Sequence, residues 1–80
     1  MAKNFDYKPW INDAQERLLK LEIGKVFELK DLFTGTEGRD WNDLGTYKSS
    51  FGREFSKRVD NGRLIGVEKF NGKYRRIDTW

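Results

Sequence analysis

Residues 46–60 combine cationic and hydroxyl side chains in a spacing that suits nucleic-acid binding. On a helical wheel of about 100° per residue, a face of about 120° holds only such side chains and no carboxylate. Arg and Lys can donate to guanine O6 and N7, and Ser and Thr can bond base edges or phosphates. An ordinary solvated helix face is the alternative, although such faces usually mix charges of both signs. The face consists of Thr46, Ser49, Ser50, Arg53, Ser56 and Lys57.

A second cationic group surrounds the dipeptide Asn71-Gly72. An Asn-Gly pair between two strand-like runs predicts a β-hairpin, because a type I′ turn needs positive φ at both central residues. Cations near a hairpin tip can hold phosphates, a contact that positions a protein without reading sequence. Charges that protect an edge strand from aggregation are the alternative interpretation. The cations are Lys69, Lys73, Arg75 and Arg76.

Catalysis and metal binding find little support in the composition. The chain has no His and no Cys, which removes imidazole acid–base chemistry, thiolate nucleophiles and zinc-finger ligand sets. Its carboxylates are scattered without metal-ligand spacing, and no Walker A, GxGxxG or GxSxG motif occurs. We therefore expect that the protein is not an enzyme and carries no cofactor and no metal.

The charges are distributed unevenly along the 80 residues, a length that suits one domain. Residues 1–40 carry seven basic and eight acidic side chains, whereas residues 41–80 carry nine basic and five acidic ones. This asymmetry indicates a polyanionic partner for the second half. No apolar run approaches the ~20 residues of a membrane span and no signal-peptide pattern occurs, so we expect a cytoplasmic protein without a membrane partner.

The first predicted element is a helix that begins after Trp10. Asn12 and Asp13 are candidate N-caps, and Gly24 is the predicted C-cap. Residues 1–9 are expected to form a flexible arm. The apolar stripe of this helix consists of Ala14, Leu18, Leu19, Leu21 and Ile23.

Short elements are predicted for the middle of the chain. Residues 26–29 are expected to form a strand and residues 30–34 a short second helix. Residues 36–45 are rich in turn formers, which predicts a loop anchored by Trp41 and Leu44.

Residues 46–60 form the third predicted helix, since an apolar residue recurs at every fourth position before the stop at Asp60-Asn61-Gly62. Arg58 falls inside the apolar stripe, so either its stem must run outward along the helix surface or the helix must distort there. The stripe consists of Tyr47, Phe51, Phe55 and Val59.

Residues 63–78 form the predicted hairpin. A two-residue loop sets the register and places opposite charges across the ladder. The predicted pairs are Phe70 with Lys73, Glu68 with Arg75, and Val67 with Arg76.

The predicted order is helix, short strand, short helix, loop, helix and hairpin. This order predicts an α+β fold. It is typical of a small winged helix-turn-helix domain with three helices plus a C-terminal β-hairpin wing. The domain is expected to span residues 10–80.

Three blocks of the sequence, KVFELKDLF, SSFGREFSKRV and NGRLIGVEKFNGKYRRI, carry a resemblance to a known family. The chain resembles small uncharacterised proteins of Gram-positive bacteria and their phages, in which a G-x-x-F-x-L-K-D-L-F segment precedes a G-R-x-F helix. The similarity covers most of residues 16–77. It implies a helix-turn-helix-like fold and no catalytic residues.

The leading hypothesis is a double-stranded DNA-binding protein, either a transcription regulator or a phage accessory factor. Residues 46–60 would enter the major groove, and the hairpin would hold the DNA backbone. One alternative is a protein-interaction module whose contact surface includes the aromatic arm, Phe5, Tyr7 and Trp10. Another is a single-strand binder that stacks bases on Phe70 and Tyr74. The predicted DNA contacts are Thr46, Lys48, Ser49, Ser50, Arg53, Lys57, Lys69, Lys73, Arg75 and Arg76.

Overall fold

The computed structural model describes residues 6–34 and 38–79, and these form a small α+β domain. Two α-helices pack with a three-stranded antiparallel sheet, and two 3-10 helices lie between the α-helices in sequence. The α-helices are α1, Lys8–Leu19, and α2, Lys48–Asp60. The strands are β1, Val26–Phe27, β2, Val67–Phe70, and β3, Lys73–Arg76.

Helix α1 begins earlier and ends earlier than the sequence predicts. Pro9 lies in its first turn, where a residue without an amide hydrogen costs nothing, and the Ile11 amide donates to the Tyr7 carbonyl at 2.8 Å. The predicted N-caps are therefore wrong, because both lie inside the helix. Gly24 is not the C-cap: it has φ 95° in the connection to β1, and its amide donates to the Arg76 carbonyl at 2.7 Å. Residues 1–5 of the predicted arm lie outside the described residues.

The middle of the chain forms 3-10 helices where the sequence predicts a short helix and a loop. The first is Leu29–Leu32, in which the Glu28 amide donates to the Asp31 carboxylate at 2.9 Å. The second is Trp41–Tyr47, inside the predicted loop, and its direction changes at Gly45. The second of the three predicted helices is thus a single 3-10 turn, because too few residues lie there for an α-helix.

Helix α2 matches the predicted third helix except at its start. Phe51 and Phe55 are fully buried and Val59 packs against the core, as the four-residue stripe predicts. Tyr47 does not belong to this buried stripe: it precedes α2 and is 37% exposed. Arg58 is half-buried and donates to Glu54 at 2.8 Å, which satisfies its charge along the helix surface.

The hairpin has the predicted register, with Phe70 opposite Lys73 and Val67 opposite Arg76. Asn71 has φ 48° and Gly72 has φ 77°, the positive values that a type I′ turn requires. The short strand β1 adds to the far side of β3, so the sheet order is β1-β3-β2.

Aromatic rings lie at the centre of the core between α1, α2 and the sheet, beside buried aliphatic side chains. The Phe51 ring lies 5.8 Å from Trp10 and 5.9 Å from Phe33. The Phe55 ring meets the edge of Tyr74 at 4.9 Å and so joins α2 to β3. Rings bury roughly 150–250 Å² each, which lets an 80-residue chain without disulfides hold together. The core fixes which face of α2 remains outside.

Candidate nucleic-acid interface

The exposed face of α2 lines an open depression. Arg53 and Lys57 project from it one helical turn apart, because Phe51 and Phe55 turn the opposite side of the helix into the core. This places two cations side by side on one face of an α-helix, and a DNA major groove is wide enough to admit such a helix. The lining residues are Ser49, Gly52, Arg53, Ser56, Lys57 and Asp60.

A second depression lies between α2 and the tip of the hairpin. Ser56 lines both depressions, so the two adjoin there and are treated together as a groove along α2 and the inner side of the hairpin tip. We call it the α2–hairpin groove. The second depression is lined by Ser56, Lys69, Phe70, Asn71, Gly72, Lys73 and Tyr74.

Polar groups of four residues meet where α2 and the hairpin join. The Tyr74 hydroxyl is hydrogen-bonded to Ser56, and the charges of Lys69 and Asp60 act on it. Burial against the core raises the pKa of Tyr74 above its ordinary value of 10.0, an effect that the Ser56 hydrogen bond partly opposes. Tyr74 is therefore a neutral donor and acceptor in the floor of the groove.

Asp60 brings a carboxylate to the groove and accepts from the Lys69 ammonium group at 2.8 Å. The predicted acid-free face is therefore incomplete. Asp60 still belongs to α2 and lies on the same side as Arg53 and Lys57, whereas the sequence interpretation assigned it to the turn that ends the helix.

Three predicted contacts on the α2 side do not line the groove. Thr46 lies in the second 3-10 helix and is exposed, and Ser50 is half-buried. The Lys48 ammonium group donates to the Asn42 side chain at 3.2 Å, because it faces the 3-10 helix that precedes α2. The groove therefore retains Ser49, Arg53 and Lys57 from this part of the prediction.

Strand alternation divides the predicted hairpin cations between two faces of the sheet. Lys69 and Tyr74 are paired residues on the inner face, beside α2. Lys73 and Arg75 belong to the outer face, although part of Lys73 also borders the groove at the tip. Only Lys69 among these cations therefore points its charge along the groove with Arg53 and Lys57.

The outer-face cations have local partners. Arg75 Nε donates to Glu68 at 2.7 Å, and its guanidinium carbon lies 4.3 Å from the centre of the Phe70 ring. The Lys73 ammonium group lies 3.9 Å from a carboxylate oxygen of Glu28. These contacts offset part of the charge of both cations in the free protein.

Arg76 is buried, so it does not join a phosphate-binding surface. Its residue surface is 8% exposed, and its guanidinium donates to the backbone carbonyls of Ile77 and Leu19. Its Nε has no partner among the described residues. A cation beside the carbonyl end of α1 is favourably placed in the field of that helix. Arg76 thus connects the sheet to α1, and the structure does not place it with the exposed cations of the groove.

The sequence interpretation missed three features of this region. Asp60 escaped because it was assigned to a turn, and the Ser56–Tyr74 hydrogen bond joins residues far apart in sequence. Arg63 lies beyond the stop at the end of α2, so no wheel includes it. It is exposed and shares a small depression with Lys57.

The fold and the groove define a small α+β domain with a cationic groove between a helix and a β-hairpin. The chain belongs to the family DUF1413, a domain of unknown function, whose family model matches residues 12–76. No curated protein and no solved structure matches the chain significantly. Neither helix of the described ranges has the length and apolar character to cross a bilayer.

Proposed function

We propose that this domain binds double-stranded DNA, with α2 in the major groove and the hairpin beside the phosphate backbone. The observation that carries the proposal is the α2–hairpin groove, in which Arg53 and Lys57 are both exposed. Within residues 6–34 and 38–79, neither has an ion-pair partner. Cations that no carboxylate neutralises remain available to phosphates and to guanine edges.

The topology supports a winged helix-turn-helix assignment within this proposal. A helix is followed by a short strand, a short helix, a second long helix and a hairpin, and the last strand lies at the centre of the sheet. The hairpin lies beside α2 as a wing lies beside a recognition helix. This support is an analogy of fold, so the DNA claim depends on the groove itself.

The packing of the aromatic residues favours duplex DNA over the two alternatives. Trp10 is buried and Tyr7 stacks on Phe51 at 6.4 Å, so this part of the aromatic arm is already packed within the domain. Phe70 is covered by the Arg75 guanidinium, and Tyr74 meets Phe55 with its edge. A base that stacks on Phe70 would have to displace the Arg75 guanidinium from the face that it covers.

The process in which the protein acts is proposed from the resemblance of its motifs. A small DNA-binding domain with the blocks KVFELKDLF and SSFGREFSKRV suits a cytoplasmic transcription regulator or a phage accessory factor of Gram-positive origin. Arg53 and Lys57 would read the target site, and Lys69 would hold the DNA backbone.

Fluorescence anisotropy tests the proposal directly. Labelled duplex and single strands of one sequence are titrated with the protein at two salt concentrations. Neutralisation of about three phosphates predicts that log K falls against log salt with a slope of roughly −3, and that the duplex binds more tightly. The double substitution Lys20→Ala/Lys25→Ala is the matched control, since both residues are exposed outside the groove. Absence of duplex binding at low salt contradicts the proposal.

A further inference from the structure

The last residue of α2 carries a charge that is unfavourable in two ways. Asp60 lies at the carbonyl end of the helix, where the helix dipole disfavours a negative charge. It also lines the groove that contains Arg53 and Lys57, where it repels any polyanion.

The ion pair between Asp60 and Lys69 contributes little to the fold. The two side chains are 59% and 45% exposed, and pairs at such sites are weakened by solvent. The pair nevertheless fixes the position of Lys69. Its ammonium group is held at the carboxylate, beside the Ser56 and Tyr74 hydroxyls at the middle of the groove.

We propose that Asp60 is an affinity-limiting residue that holds Lys69 until a phosphate of the bound backbone replaces the carboxylate. The phosphate would then accept from Lys69 and from the Ser56–Tyr74 hydroxyl pair. This inference rests on the proposed function, because it requires a phosphate backbone in the groove. It explains how a groove with few cations avoids holding every polyanion, since binding must exchange one anionic partner of Lys69 for another.

The substitution Asp60→Asn tests the exchange. It keeps the shape of the side chain, removes from the groove a negative charge that repels DNA phosphates, and frees Lys69 from its ion pair. We expect binding of the labelled duplex to tighten about fivefold at low salt. The salt slope should stay the same, because Lys69 neutralises one phosphate in the complex of either protein.

Lys69→Met separates the exchange from simple charge repulsion. Lys69→Met alone should make the salt slope shallower by about 0.9. In this background Asp60→Asn should tighten binding by a smaller factor than in the wild type. Glu22→Gln removes the same charge from the exposed connection after α1 and should change affinity less than about twofold. Thermal unfolding of each variant verifies the fold, and Asp60→Ser repeats the test if Asp60→Asn is unstable.

The outcomes separate the inference from the proposed function. If duplex binding depends on Arg53 and Lys57 but Asp60→Asn binds no more tightly than the wild type, the inference is wrong and the proposed function stands. An equal gain with and without Lys69 shows repulsion only and also overturns the exchange. If neither the wild type nor Asp60→Asn binds duplex, both proposals fail.

Discussion

The exposed face of α2 and the outer face of the hairpin are both rich in cations, yet the structure treats them differently. On α2, Arg53 and Lys57 lie on a helix surface where the described residues offer them no ion pair. On the outer face, Lys73 and Arg75 meet Glu28 and Glu68, which the sheet brings next to them. A count of charges along the chain therefore overstates how many hairpin cations are available to a ligand, and it understates the importance of the cations on α2.

The difference arises from the geometry of the two elements. A strand alternates its side chains between two faces, so every second side chain lies beside side chains of the neighbouring strands. Lys73 and Arg75 meet carboxylates in this way. The α2 helix instead buries one continuous stripe, and on its opposite face Arg53 and Lys57 line an open depression. Arg53 and Lys57 are therefore without an ion pair among the described residues, whereas Lys73 and Arg75 are paired on the sheet.

The largest expected effect is the loss of duplex binding when cations are removed from α2 rather than from the outer face of the hairpin. Arg53→Ala/Lys57→Ala should weaken duplex binding about 100-fold at low salt, since each contact is worth about 1–3 kcal/mol. Lys73→Ala/Arg75→Ala should weaken it less than about threefold, because those cations are already paired in the free protein. Anisotropy titrations measure both, and equal losses for the two pairs would contradict the comparison.

The next effect concerns stability and two adjacent arginines. Arg76→Ala should lower the free energy of unfolding by about 2 kcal/mol, because it leaves buried carbonyls at the end of α1 without their donor. Arg75→Ala removes only a partly exposed ion pair and should cost about 0.5 kcal/mol. Urea unfolding followed by Trp fluorescence distinguishes them. A smaller cost for Arg76→Ala than for Arg75→Ala would show that the burial of Arg76 is not as described.

A smaller effect compares the inner and outer faces of the hairpin itself. Lys69→Ala should weaken duplex binding about fivefold, because Lys69 lies in the groove and its loss leaves Asp60 unpaired there. Lys73→Ala should weaken binding less than about twofold. The two variants have the same net charge, so anisotropy at one salt concentration is sufficient. The reverse order would place the phosphate contact on the outer face.

The smallest effect is the pH dependence that Tyr74 contributes. Burial raises the pKa of Tyr74 in the folded protein above 10.0, so the unfolded chain ionises first. Its contribution to stability is complete below that pH and is lost as the pH rises through the folded pKa. Tyr74→Phe should therefore lose less unfolding free energy than the wild type between about pH 9 and pH 11. Identical losses would show that the floor of the groove is solvated.

Local patterns predicted the parts of the fold that depend on neighbours in sequence. The Asn71-Gly72 turn fixed the hairpin register, and the four-residue stripe placed Phe51 and Phe55 in the core. The limits of α1 could not be predicted in this way, because Pro9 fits the first turn and Gly24 serves the connection to β1 instead.

The candidate site was predictable only where one helix supplies it. The sequence by itself determined the order of α1, β1, α2 and the hairpin and an α2 face bearing Ser49, Arg53 and Lys57, since both follow from spacing along one chain segment. Tertiary structure alone decided which hairpin cations are available. It buried Arg76, brought Lys73 to Glu28 and brought Asp60 to Lys69, because burial and charge pairing depend on distances between segments that spacing in sequence does not contain.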